Sequence, residues 1–201
     1  DDTGYLINAL KQFGIQIQRQ GDRLEVSGVS GNVCVPSEKI FVGNAGTAMR
    51  FLTTFSSLAQ GESILTGDEQ MQKRPLTDLL NALHTVGIKS SSENGFPPVK
   101  IHGGNFNGGH IDINGDISSQ FVSSLLLSSP YAKHPVSIHV RGKMVSLPYV
   151  DMSVHVMRSF GAKVDNVTSS VYVISNRDRY IGQTFHIEGD ASSATYFLAA
   201  A

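Results

Sequence analysis

With 201 residues, 40% of them hydrophobic and 16% charged, the chain is built to fold as one large domain or two small ones and not to stay disordered. A net charge of −1 excludes a general attraction to nucleic acid or to an anionic membrane, so any anion binding must be local. No apolar run approaches the about 20 residues of a membrane-spanning helix, and no signal peptide or basic presequence is read at the start. The single Cys34 has no internal partner, which fits a reducing compartment. The seven histidines lack H-x-x-x-H or Cys/His spacing, so no structural metal is expected.

In chain order, the first predicted element is an amphipathic helix closed by glycine and followed by a strand, YLINALKQFGIQI (5–17). Strands LEVSG (24–28), VCVP (33–36) and KIFVG (39–43) lead into GNAGTAMRFL (43–52), a helix with a glycine-rich start and Arg50 one turn in. SILTG (63–67) precedes a second glycine-closed helix, LTDLLNALHTVGIKS (76–90). Strands VKIHG (99–103) and HIDING (110–115) then lead to GDISSQFVSSLLL (115–127), another helix with an open start. VSIHVRG (136–142) precedes the third glycine-closed helix, YVDMSVHVMRSFGAKV (149–164). Strands VYVIS (171–175) and FHIEG (185–189) end at a third open-start helix, GDASSATYFLAAA (189–201).

These elements repeat. The closing glycines Gly14, Gly87 and Gly161 are 73 and 74 residues apart, and the opening glycines Gly43, Gly115 and Gly189 are 72 and 74 apart. Two segment types on one period predict β-α-β-α-β-β units, an α/β fold assembled from a few compact repeats. The chain starts at once in helical pattern and stops within an uncapped one, which predicts an excerpt of a longer polypeptide.

A helix start leaves its first N–H groups without intrahelical partners, and its dipole favours negative charge. In GNAGTA a side-chain-free Gly46 would let a phosphate or carboxylate reach the backbone closely. The same segment also serves as a plain structural cap. The Ser118-Ser119 pair is likewise either ordinary capping or an anion seat. Arg50 either binds a ligand directly or holds a carboxylate of a neighbouring unit.

GNAGTAMR (43–50), MQKRPL (71–76), ISSQF (117–121), VSLPYVDM (145–152) and EGDASSATYFLA (188–199) together resemble the 5-enolpyruvylshikimate-3-phosphate synthase family, in order and spacing. The resemblance implies two domains, each of three β-α-β-α-β-β units in an inside-out α/β barrel around buried helices. On that comparison residues 1–187 are most of one domain, its first unit truncated, and 188–201 begin the other. It also implies transfer of the enolpyruvyl group of phosphoenolpyruvate to the 5-hydroxyl of shikimate 3-phosphate, with release of phosphate and no cofactor. Asn44, Gly46, Thr47, Arg74 and Gln120 match positions that contact phosphoenolpyruvate. Ser118, Ser119, Gln120, Ser146 and Tyr149 match positions that contact shikimate 3-phosphate, although Tyr149 equally suits a core aromatic. The third start, Gly189 to Ser193, is mainly architectural in the family.

No catalytic acid–base residue is matched within this chain. The family's Lys-Ser and Arg would precede Asp1, and its Asp, Glu, Lys and two further Arg would follow Ala201. Phe51, Gln70 and Leu147 depart from the family's usual Pro, Arg and Lys. The expected partners are the two small substrates, without nucleic acid or membrane, in a monomer or a larger fused polypeptide. The expected location is cytoplasmic, or plastid for a plant or algal source. RFLTT (50–54) is similar to eukaryotic fused shikimate-pathway polypeptides. Two rivals stand beside this reading. One is the transferase acting on a UDP-amino sugar, whose catalytic Cys lies in a glycine-rich loop that Cys34 lacks. The other is a non-catalytic anion-binding repeat module.

Overall fold

The structure, a computed structural model, describes residues 2–200. Helix α1 (Asp2–Gln12) and hairpin β1 (Gln16–Gln20) and β2 (Arg23–Ser27) come first. Two complete units follow. One comprises β3 (Ile40–Phe41), α2 (Gly46–Phe55), β4 (Glu62–Thr66), α3 (Thr77–Thr85), β5 (Lys89–Glu93) and β6 (Phe96–His102). The other comprises β7 (Gly109–Asn114), α4 (Ser119–Ser128), β8 (Val136–Arg141), α5 (Leu147–Ser159), β9 (Val164–Thr168) and β10 (Val171–Ile174), and α6 (Ala191–Ala200) ends the described chain.

The two units share one topology. Their four-stranded sheets run β3-β4-β6-β5 and β7-β8-β10-β9. In each, the first two strands are parallel and the other pairings antiparallel. The β-α-β-α-β-β unit predicted from the period is therefore the unit observed. α1 with the β1–β2 hairpin repeats the second half of such a unit. The second helix of one unit packs on the first strand of the next, α1 on β3 and α3 on β7.

The sheets lie outside and the open-start helices α2 and α4 inside. Eight of the ten residues of α4 are buried, and α2 buries seven of its ten, Arg50 among them. Small hydroxyl residues let these helices approach. Ser124 Oγ donates to the Arg50 carbonyl at 2.6 Å and lies 2.5 Å from Thr54 Oγ1, while Ser153 Oγ of α5 donates to Ser123 Oγ at 2.8 Å. Each of these buried hydroxyls thus has a partner, which removes the penalty of desolvating it alone. α5 instead buries only the stripe Val150, Val154 and Met157, spaced for one helix face.

Three helices end alike. Gly14, Gly87 and Gly161 have φ of 86°, 88° and 88°, the left-handed region that a side chain opposes. Each donates to the carbonyl three residues back, and the next residue reaches back five: Ile15 to Leu10, Ile88 to Leu83, Ala162 to Met157. This pair of bonds satisfies carbonyls the helix end would leave orphaned. At Gly87 an added Cβ would also collide with the Asn107 side chain. Gly87→Ala is expected to cost about 1–3 kcal/mol, read as a lowered denaturation midpoint in urea with unchanged slope.

Three sequence expectations are corrected. VCVP (33–36) forms no strand: the Cys34 N–H donates to the Phe13 carbonyl at 2.8 Å, so this segment closes the α1 cap and joins no ladder. KIFVG (39–43) contributes only two strand residues, because Gly43 turns left-handed at φ 54° to start the α2 lip. FHIEG (185–189) is exposed and without strand pairing among the described residues. No helix of the described residues is long and apolar enough to cross a membrane.

Candidate active site

In both units the two parallel strands end side by side, and the loops that leave them are bonded together. After β3 and β4, the Asp68 N–H donates to the Gly43 carbonyl at 3.1 Å. After β7 and β8, Gly115 N–H donates to the Arg141 carbonyl at 2.8 Å and Val145 N–H returns to the Gly115 carbonyl at 3.0 Å. The carboxyl ends of parallel strands are where α/β sheets place ligands. All sequence-predicted site residues lie in these four loops or the first turns of the helices that follow.

The α2 lip is open. Its N-cap residue Ala45 offers no side-chain bond, so the amides of the first turn face outward without a capping group. Asn44 and Thr47 are exposed, while Gly46 is buried. The Arg74 loop crosses this lip. Asp68 Oδ1 accepts from the Gln70 and Met71 N–H groups at 3.0 and 2.9 Å, organising the 3-10 turn Met71–Lys73. Arg74 then leaves the turn with extended backbone, the conformation its neighbour Pro75 favours. Its guanidinium reaches Gly46: a Cβ there would lie 2.7 Å from Arg74 Nη1 and 3.1 Å from Arg50 Nη1.

Arg50 therefore joins Arg74 over one glycine. It is 9% exposed; its Nη1 donates to the Gly46 carbonyl at 3.1 Å and lies 4.0 Å from Met71 Sδ. Its Nε is buried with no hydrogen-bond partner. Among the described residues no carboxylate lies within ion-pair distance of either guanidinium. The carboxylate partner that the sequence reading allowed for Arg50 is not found among the described residues. Burial, and then the neighbouring Arg74 charge, push the Arg50 guanidinium below its usual range. Two cations thus converge with no neutralising carboxylate among the described residues, an arrangement that suits an added anion.

The α4 lip is partly capped. Ser118 Oγ accepts from the Gln120 N–H at 3.2 Å, the capping role its residue type predicts, and Ser119 is buried. Gln120 Nε2 donates to Thr47 Oγ1 at 3.0 Å, tying the α2 and α4 lips together. Ser146 starts α5 with φ 53° and ψ 42° and no side-chain cap, so its hydroxyl is not used by the helix. Tyr149 is 57% exposed, which overturns its reading as a core aromatic. Both are tied to the α4 lip through the Val145–Gly115 bond and the Ser153–Ser123 bond.

The structure thus groups Gly46 with Arg74, and Thr47 with Gln120 and Ser118. Asn44 stands exposed in the same lip. Arg50 joins the group more closely than sequence reasoning expected. Asp68 was missed, although its signal was present: an Asp two and three residues ahead of Gln70 and Met71 has Asx-turn spacing. Of the three departures, Gln70 is exposed and serves through its N–H, Phe51 is half-buried behind the lip, and Leu147 is at the surface. For the third lip, the Ser192 and Ser193 side chains lie outside the described residues.

Comparison with known proteins gives the family and the fold. The model of the EPSP synthase (3-phosphoshikimate 1-carboxyvinyltransferase) family matches residues 1–201. Proteins named 3-phosphoshikimate 1-carboxyvinyltransferase from Shewanella pealeana and Xenorhabdus nematophila are 42% and 43% identical over the whole chain. One from Methanospirillum hungatei is 43% identical over the same extent. In each case the chain covers 48% of the relative, so it spans about half the length of the curated relatives it matches. A solved EPSP synthase structure from Acinetobacter baumannii superposes with a TM-score of 0.82 at 26% identity, over 96% of this chain and 43% of that one. With the repeat, the two bonded lips and an end-to-end match in agreement, the chain belongs to the EPSP synthase family.

Proposed function

We propose that this chain is about half of a two-domain enzyme that joins shikimate 3-phosphate to phosphoenolpyruvate. The 5-hydroxyl attacks C2 of the enolpyruvyl group as C3 takes a proton, and the tetrahedral intermediate then expels phosphate. Residues 1–187 form most of one domain, and the second begins from Glu188. Exposed apolar side chains on α6, such as Tyr196 and Leu198, support a helix that packs elsewhere in the longer protein. Acid–base residues come from outside this chain, which alone does not turn over.

The observation that carries this reading is the convergence of Arg50 and Arg74 over Gly46 without a carboxylate partner among the described residues. The α2 lip takes phosphoenolpyruvate: Gly46 admits the anion to the backbone, Asn44 and Thr47 border it, and Arg74 supplies a planar, bidentate donor. Arg50 holds the Gly46 carbonyl in place and lends its charge from below. The α4 lip takes the 3-phosphate through Ser118 and Ser119, with Ser146 and Tyr149 on the sugar-like ring. Gln120, already bonded to Thr47, touches both substrates. Developing negative charge in the intermediate then meets donors set in advance, the arrangement that lowers such barriers most.

Asn44, Thr47 and Tyr149 stand exposed around the two lips, which supports a half-site covered by a second domain. A monomer acting in the cytoplasm, or in a plastid, completes the reading. The rival that uses a UDP-amino sugar needs a cysteine in a glycine-rich loop near the second unit, whereas Cys34 lies in the segment that closes the α1 cap, its N–H bonded to the Phe13 carbonyl. The full-length protein is expected to release phosphate only when both substrates are present and without added metal. Phosphate release with UDP-N-acetylglucosamine in place of shikimate 3-phosphate would overturn the assignment.

A further inference from the structure

A second cluster of chemistry-bearing side chains lies on the outer face of the β7–β8 pair. Along these strands Ile111, Ile113, Ile138 and Val140 point into the core, so His110, Asp112, His139 and Arg141 point outward. The parallel register sets Asp112 directly beside His139, and His110 is two residues from Asp112 on the same face. His110 Nε2 lies 3.1 Å from Asp112 Oδ2, and the two imidazoles meet edge to face with centroids 4.2 Å apart. One ligand atom from each of His110, His139 and Asp112 falls within 4.8 Å of the others. Tetrahedral bonds of about 2.0–2.2 Å place neighbouring ligand atoms about 3–4 Å apart, within small side-chain rotations of what is seen.

We propose that His110, His139 and Asp112 bind one divalent transition-metal ion of the zinc, nickel and copper class. Two imidazoles and a carboxylate suit these ions over magnesium or calcium, which prefer all-oxygen sets. The ligands stand on two hydrogen-bonded strands, so little order remains to be imposed when the ion binds. Three protein ligands at an exposed face leave a fourth position for water.

Arg141 is the built-in competitor. Its Nε and Nη2 donate to Asp112 Oδ1 and Oδ2 at 3.0 and 2.8 Å. Arg141 is largely exposed, so solvent screens the pair and a metal ion competes with it for the Asp112 carboxylate. His110 and His139 are far apart in sequence, so the ion binds the folded state and staples β7 to β8, the strands whose ends carry the α4 lip.

The test is equilibrium dialysis of the untagged protein against zinc alone. One ion per chain is expected, with the dissociation constant raised about 10- to 100-fold by His110→Ala or by His139→Ala. Arg141→Gln is expected to tighten binding, and the exposed His134→Ala to leave it unchanged. Copper added in place of zinc should give an electron paramagnetic resonance spectrum with coupling to two nitrogens, reduced to one in either histidine variant. His110 is exposed and His139 half-buried, so each variant is checked to remain folded by its metal-free melting temperature, and zinc is expected to raise that temperature in the parent but not in either histidine variant. Absence of saturable binding, or binding untouched by both histidine substitutions, overturns the proposal.

Discussion

Arg74→Ala in the full-length protein is expected to raise the Michaelis constant for phosphoenolpyruvate about 10- to 100-fold, while that for shikimate 3-phosphate stays nearly constant. Charge-assisted hydrogen bonds contribute about 1.5–3 kcal/mol each way they are lost, and about 1.4 kcal/mol is tenfold in affinity. Arg74 is exposed and its removal opens no core cavity, so stability should move by no more than about 0.5 kcal/mol. Arg74→Lys keeps the charge but loses the planar fork and should fall between. An independent readout needs no turnover. Arg50 is charged in the folded state against burial and against Arg74, so a bound anion relieves an existing cost. Inorganic phosphate should therefore raise the melting temperature of the parent more than that of Arg74→Ala. Equal Michaelis constants and equal phosphate shifts in the two proteins would remove Arg74 from the site.

Gly46→Ala should separate binding from stability with the opposite sign in each. Gly46 opens α2 without a left-handed φ, so alanine fits its backbone and gains up to about 1 kcal/mol of helix propensity. The new methyl, however, would stand 2.7 Å from Arg74 Nη1 and 3.1 Å from Arg50 Nη1. Both atoms are ends of long side chains, so the guanidinia move and the fold does not. The expected result is an unchanged or slightly raised melting temperature with phosphoenolpyruvate affinity weakened about tenfold or more. Affinity for shikimate 3-phosphate, held by the α4 lip, should be preserved. A merely structural glycine would give the reverse pattern: lost stability and intact affinity.

Much of the architecture was legible before any coordinates. The three closing glycines reported their left-handed caps because only a residue without Cβ adopts that conformation freely. Ser118 reported a helix start because its short hydroxyl can reach the amide of Gln120. Their common period then exposed the repeating unit. Less legible were VCVP and FHIEG, whose alternation suits a strand although neither finds a neighbouring strand to pair with among the described residues. Pairing is a tertiary fact, and composition cannot supply the partner.

The site divided in the same way. Which residues form the lips was written in local signals, glycine spacing and capping hydroxyls, because backbone conformation is decided within a few residues. What the lips face was not. Tyr149 had equal claims to core and surface until the stripe Val150, Val154 and Met157 turned it outward. Arg50 was free to pair with a carboxylate until folding set it against Met71 and Arg74 instead. The repeat, the caps and the chemistry available at each helix start follow from local sequence. Which charges meet follows from packing, because a guanidinium's surroundings are set by every neighbour that folding brings to it, and those neighbours come from loops more than twenty residues apart.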